Sequence, residues 1–193
     1  MAAIARESLL SLEAYARERK AFRARVMEHK KSRVVSLGEH LTLHFEDELT
    51  IRYQIQEMLR IERIFEDEGV RGELEAYGPL VPDGGNWKAT LMLEYPDVEE
   101  RRARLAELKG IEDRVWVRVA GHEPAYAIAD EDLERENEEK TSSVHFLRFE
   151  LGGAMRDALK RGAGLSIGVD HPNYRACVEA APEVRASLVR DFS

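Results

Sequence analysis

The spacing of apolar residues changes period several times along the chain, and each change marks an element. Between residues 8 and 31, Leu9, Leu12, Tyr15, Phe22 and Val26 recur at spacings of three, four or seven. That is the period of an amphipathic helix, with Ser8 or Ser11 placed to cap it. In RVVSLGEHLTLHFED the period drops to two: Leu41, Leu43 and Phe45 alternate with His40, Thr42, His44 and Glu46. Two short strands about a turn at Gly38 and Glu39 are expected there. TIRYQIQEMLRIERIFEDEG, from Thr50 to Gly69, returns to the helical period. RGELEAY reads as a strand. YGPLVPDGGN reads as a loop, because its prolines and glycines interrupt any ladder. WKATLMLEY, residues 87 to 95, carries the strongest strand pattern.

In the second half, Asp97 followed three residues later by Glu100 opens a helix in the manner of a capping box, and Gly110 closes it. RVWVRVA and EPAYAIA form a hairpin pattern about Gly121 and His122. DEDLERENEEK, residues 130 to 140, reads as a mobile acidic loop. SVHFLRFEL (143 to 151) alternates again, AMRDALKR suits a short helix, and GLSIGVD suits a strand. The remainder, beginning YRACVEA, reads as a helical tail to Phe192. Strand patterns adjoin one another as often as they adjoin helices. The expected class is therefore α+β, with a largely antiparallel sheet of about 6–8 strands packed with about 4–5 helices, among them a long basic N-terminal helix. No internal repeat or long linker divides the chain, so residues 1–193 are expected to form a single domain.

Composition narrows the function classes. The single cysteine, Cys177, permits no intramolecular disulfide and fits a reducing, cytoplasmic setting; within YRACVEAAPEV it is expected to pack. The N-terminal segment lacks the apolar core of a signal peptide or membrane span, so no membrane association is expected. The formal net charge of −8 argues against nonspecific nucleic-acid binding. The charge is uneven, however. Arg17, Arg19, Lys20, Arg23, Arg25, Lys30, Lys31 and Arg33 crowd the first helix, whereas residues 130–140 are acidic. These regions are suited to complement each other within the fold or across a homodimer, and the basic helix is the feature that would make the chain a polyanion binder.

Familiar chemical motifs fail on geometry. GLSIG satisfies G-x-S-x-G, but Ser166 lies inside a strand pattern rather than on a strand-to-helix turn. RGAGLSIG misplaces the third glycine of a dinucleotide loop, and no Walker-type phosphate loop is present. His40 and His44 would share a helix face; on a strand they stand roughly 13 Å apart, too far to ligate one metal together. No E-x-x-H motif of a di-iron carboxylate protein occurs. Asp170, His171 and Tyr174 gather where a strand ends at VDHPNY, and an Asp beside a His can tune its proton affinity.

The Thr50 helix carries the sharper question. In projection Ile51, Ile55, Met58, Ile61 and Phe65 form one arc, with Glu62 and Gln54 falling inside it. A bare buried carboxylate costs several kcal/mol, so Glu62 must find a cation, hydrogen bonds, a proton or a ligand. One reading pairs it with an arginine of the first helix and bonds Gln54 to the backbone. The other makes it part of a pocket, with Gln54, Glu57, Glu62, His171 and Tyr174 as catalytic candidates and Glu62, His145 and His171 as metal-ligand candidates of a small, metal-dependent enzyme.

EHLTLHFEDELTIRYQIQEMLRIERIFEDEG, the YGPLVPDGG loop and KATLMLEYPD resemble the bacterial family of unknown function numbered three thousand five hundred and one. The likeness runs from SLEAYARERKAFRARVMEHKKSRVVSLG to VDHPNY, and YQIQEMLRIER is its most specific segment. Members tend to be encoded near rubrerythrin and an iron-sulfur oxidoreductase. The resemblance therefore implies an accessory protein of a bacterial redox or peroxide-stress system, acting through contacts with such a protein or by binding a metal or small anion. It supplies no catalytic residues and no named cofactor.

Overall fold

The computed structural model describes residues 4–132, 135 and 139–193. In chain order the elements are α1 (Leu12–Lys30), β1 (Val34–Leu37), β2 (Leu41–Glu46), α2 (Glu48–Glu62), α3 (Asp67–Tyr77), β3 (Asn86–Leu93), α4 (Val98–Glu107), β4 (Val115–Val119), β5 (Ala125–Tyr126), β6 (Ile128–Ala129), β7 (Val144–Glu150), α5 (Gly153–Lys160), β8 (Leu165–His171), β9 (Tyr174–Glu179) and α6 (Pro182–Val189). The class is α+β and every strand pairing is antiparallel, as the alternating patterns require. The strands divide into two sheets, β1-β2-β3-β7-β6 and β5-β4-β8-β9.

Two-residue alternation explains how the sheets meet. On β3, Trp87, Ala89, Leu91 and Leu93 are buried while Lys88, Thr90 and Met92 are half-buried on the opposite side. The buried set joins Leu43, Phe45, Leu147 and Phe149 from the same sheet with Val117 and Ile167 from the other in one apolar cluster. α2 packs elsewhere. Its Ile51, Ile55 and Leu59 form a smaller cluster with Ile4, Leu9 and Val70 of the N-terminal segment and α3.

A buried guanidinium joins the two parts. Arg33, only 2% exposed, precedes β1. Its Nε donates to the Phe45 carbonyl at 2.9 Å and its Nη2 to the Glu46 carbonyl at 3.0 Å. The same guanidinium meets both carboxylate oxygens of Asp191, at 3.2 and 2.6 Å, just beyond α6. Asp47, 3.5 Å from Nε, caps α2 by accepting from the Thr50 amide, and the Thr50 hydroxyl accepts in return from the Asp47 amide.

Three local expectations are overturned. RGELEAY lies within α3 rather than forming a strand; Gly69, expected to end a helix, falls inside α3 instead. The break comes earlier, at Arg63, which takes a left-handed conformation (φ 57°) and stops α2 at Glu62. YRACVE is β9, not a helix, and alternation turns Cys177 to the exposed face rather than into packing. The expected mobile loop at 130–140 falls in part on residues 133–134 and 136–138, which lie outside the described residues.

The Thr50 helix satisfies its polar groups differently from the expectation. Glu62 and Gln54 are exposed, as are Ile61 and Phe65. The expected arc assumed one unbroken helix to Gly69, which gave weight to apolar residues beyond its true end. The buried polar residue is Gln56, which accepts from the Leu10 amide at 2.7 Å and donates to the Leu10 carbonyl at 3.3 Å. The carboxylate paired with the first helix is Glu57. It takes two hydrogen bonds from Arg19, at 2.8 and 2.9 Å, one from the Tyr15 hydroxyl at 2.6 Å and one from Arg60 at 3.2 Å. The Arg19 guanidinium, ahead of the other donors, holds the Glu57 carboxyl down at about 2.

A carboxyl held below its ordinary value stabilises the fold above that ordinary value and loses the contribution as pH falls toward 2. Glu57→Gln is expected to cost about 1–2 kcal/mol at neutral pH. It should also flatten the loss of stability between pH 4.5 and 2. Urea midpoints measured at pH 7 and pH 3 check both effects.

Candidate functional site

Strand β7 presents His145, Leu147 and Phe149 to the core and Phe146 and Arg148 to the other face. His145 is 0% exposed. Asp130 follows β6 and adopts a left-handed conformation (φ 48°) that aspartate tolerates better than most residues. Its amide donates to the Phe146 carbonyl at 2.9 Å, and its Oδ1 accepts from the Phe146 amide at 3.0 Å. The side chain thus takes the place of a strand carbonyl in the ladder, and Oδ2 is carried to 2.5 Å from His145 Nδ1.

The other ring nitrogen faces three oxygens. Thr141 Oγ1 lies 3.0 Å from His145 Nε2, the Ser142 carbonyl 3.1 Å and Glu112 Oε2 3.7 Å. Glu112 begins the short helical turn Glu112–Arg114 that leads into β4. Thr141 is held by its amide, which donates to the Leu105 carbonyl beyond the middle of α4, and its hydroxyl stands 3.4 Å from Glu112 Oε2. Glu112, Asp130 and His145 offer ligand atoms within 4.8 Å of one another. Arg135 closes the outer side, donating to Asp130 Oδ1 at 3.2 Å while its guanidinium lies 4.5 Å from the Phe146 ring centre.

Of the residues expected from sequence, His145 is in this cluster. His171 ends β8; its Nε2 is 3.0 Å from the Lys109 carbonyl and its Nδ1 accepts from the Asn173 amide. Both nitrogens are thereby engaged with backbone, and the ring borders a surface recess beside Asp113 and Arg114. Tyr174 donates to the Leu37 carbonyl at 2.6 Å and accepts from the His40 amide, tying the β1–β2 turn to β9. Asp170 accepts from the Tyr126 hydroxyl at 2.6 Å. Gln54 borders a cavity beside α2, and Glu57 is enclosed in the Arg19 pair. Glu62 sits in the last turn of α2, where its charge adds to burial in raising the Glu73 carboxyl.

Glu112, Asp130 and Thr141 were not among the expected residues. One signal for the site was present: His145 shares strand parity with Leu147 and Phe149, so an alternating strand puts an imidazole on its apolar face. A buried histidine needs polar partners. Which partners cannot be read from parity, because they come from segments 15 and 33 residues upstream and from the loop just before the strand.

Residues 3–192 match the model of the family described as Protein of unknown function (DUF3501). The chain belongs to this family. The resemblance read from YQIQEMLRIER and its surroundings therefore holds along the sequence. A family likeness is also visible in three dimensions: the chain is similar to a novel protein of unknown function from Burkholderia pseudomallei K96243, whose crystal structure was determined at 1.90 Å resolution. The two are 60% identical with a TM-score of 0.95, and the match covers 100% of each chain. A comparison with curated proteins finds no match. No helix among the described residues is long and apolar enough to cross a membrane.

His145→Ala would leave the buried Glu112 and the part-buried Asp130 carboxylates without the ring between them. A loss of about 1–3 kcal/mol is expected from leaving those oxygens without their partner. Thr141→Val, which removes one hydroxyl, should cost about 1 kcal/mol. Urea denaturation of the two variants beside the parent protein gives the comparison.

Proposed function

We propose that this member of the family holds one divalent cation on His145 and Glu112, with Asp130 orienting the imidazole from behind. The observation that carries the reading is the crowding of lone pairs around His145 Nε2. With Nδ1–H donating to Asp130, Nε2 faces the Ser142 carbonyl, the Glu112 carboxylate and the Thr141 hydroxyl, and only the hydroxyl has a proton to give. Two carboxylates flank the ring in a solvent-poor site, and Arg135 pairs with the one on Asp130. A divalent cation would draw the Nε2 lone pair and these oxygens onto one centre.

Separations of 3.0 to 3.7 Å among Nε2 and its oxygen neighbours suit ligands about 2.0–2.2 Å from a shared ion. One nitrogen with several oxygens fits zinc, manganese or ferrous iron. The 2.5 Å contact between Asp130 and Nδ1 is too short to admit an ion. That carboxylate accordingly serves as the outer partner that fixes tautomer and ring orientation. Because His145 is shut away from solvent, the arrangement favours an ion held for structure or sensing over one exposed to a turning-over substrate.

This is the metal-holding form of the accessory role expected from the sequence. The setting we propose for it is a bacterial redox or peroxide-defence system, in company with a rubrerythrin-like protein or an iron-sulfur oxidoreductase; the support for that setting is the family resemblance. Co-purification with either partner would be the expected result, and unchanged peroxide sensitivity on deletion would remove the setting without touching the metal site.

Elemental analysis of the purified protein tests the metal itself. About one equivalent of zinc, manganese or iron is expected, absent from His145→Ala and held about 10–100-fold more weakly in Asp130→Asn. The apo protein should melt higher on adding the ion, by the equivalent of about 2.7 kcal/mol at one hundred times Kd. If neither metal content nor melting responds, the metal reading fails.

A further inference from the structure

The same sheet has a second face, and its chemistry is different. β3 turns Lys88 and Thr90 outward, and β7 sets Arg148 and Phe146 directly opposite them. Above this surface run the end of α3 and the turn after it, bringing Tyr77, Pro79 and Leu80 over the strands. The space enclosed is a cavity of about 580 Å³ with Lys88, Phe146 and Arg148 on its floor. A neighbouring cavity of about 390 Å³ shares Tyr77, Leu80 and Phe146 and extends past His44 and Thr90. These volumes are within the range of small-molecule sites.

The charges on the floor are unequally answered. Arg148 is paired with Glu131 through two hydrogen bonds of 2.7 Å, and it also meets Glu150. Arg135 at the rim is paired with Asp130 and Asp132. Glu46, the in-register neighbour of Lys88 on β2, accepts from the Thr90 and Thr50 hydroxyls at 2.8 and 2.6 Å. The Lys88 side chain makes no hydrogen bond or ion pair among the described residues, although it is only half-exposed and lies opposite another cation. Like charges placed directly opposite on a sheet are unfavourable, and a bound anion would relieve that repulsion. Burial and then the Arg148 charge push the Lys88 ammonium below its ordinary range, against the opposing pull of Glu131, Asp83 and Glu150, none of which reaches it as an ion pair.

We propose that this cavity binds a small organic anion, its acidic group on Lys88 and its apolar or aromatic body between Tyr77, Leu80 and Phe146. The inference is independent of the metal site, which faces the opposite side of β7. The recognising chemistry is one anionic group joined to a flat apolar body, and it does not distinguish a carboxylate from a sulfonate or phosphate ester.

Fluorescence titration of the full chain with 8-anilinonaphthalene-1-sulfonate, in the presence of a chelator, tests the proposal apart from any metal. The uncharged N-phenyl-1-naphthylamine serves as its neutral counterpart. Saturable binding of the anion at one site is expected, weakened about tenfold by Lys88→Gln and kept within about threefold by Lys88→Arg. The neutral probe should respond to Phe146→Ala and be indifferent to Lys88→Gln. Thermal melts establish that each variant is folded, and the arginine variant carries the test should the glutamine variant not fold. Equal affinity of the sulfonate for the Lys88→Gln and parent proteins, tenfold weakening by Lys88→Arg, or failure to saturate would overturn the assignment.

Discussion

Everything outboard of the main core is positioned by the way Arg33 is buried. A guanidinium cannot give up its charge, so it enters a protein interior only where its donors are met. Here they are met by the last two carbonyls of β2 and by a carboxylate that follows α6. These partners fix where the chain leaves the sheet. Immediately afterwards Asp47 caps α2, so the arm formed by α2 and α3 departs in a direction set by the arginine's own hydrogen bonds. The C-terminus is tied to the same point, and there Trp87 donates its indole N–H to the Leu188 carbonyl at 2.9 Å. The space beneath the arm is therefore a consequence of a buried ion pair, and the Glu57–Arg19 clamp holds α1 against the arm from outside.

Strand β7 then does two things at once. Its inward residues deliver His145 to two carboxylates, and its outward residues deliver Phe146 and Arg148 to the cavity floor. The period of two guarantees the separation: a slip of one residue would exchange the imidazole for an apolar ring and destroy both sites together. Arg135 touches each side, bonded to Asp130 and lying over Phe146.

Local periodicity made much of this framework legible. Helix α1 with its Ser11 cap, the β1–β2 hairpin, β3, the Asp97-capped α4 and β7 were all readable, since in each the period and the boundary residues agree. The failures have a common cause. In the Thr50 helix the period was right and the end was wrong, because Arg63 breaks it without a glycine. An arc drawn through Ile61 and Phe65 then put Glu62 inside. The demand for a paired polar residue was sound, but Gln56 and Glu57 meet it. β9 was missed because Ala and Cys alternate too weakly with Arg and Glu to outweigh a helical reading of YRACVEA. Of the site, only His145 was visible. Glu112 and Asp130 join it through sheet pairing and a side chain that mimics a strand carbonyl, neither of which has a local signature.

The two buried charge clusters of this fold differ in what they can exchange. Arg33 brings Asp191 a permanent cation from within the chain, although burial still pushes the Asp191 carboxyl above its ordinary value. At His145 the chain sets Arg135 against Asp130, and the ion we propose would add a second cation at the ring. Asp130 decides where that ion could sit. By engaging Nδ1 it leaves Nε2 as the single variable position, aimed at a carboxylate and two further oxygens that a proton satisfies only in part. An N–H points in one direction and serves one or two acceptors well, whereas an ion draws on all of them at once. The three oxygens gathered around one nitrogen are the reason for proposing an ion there.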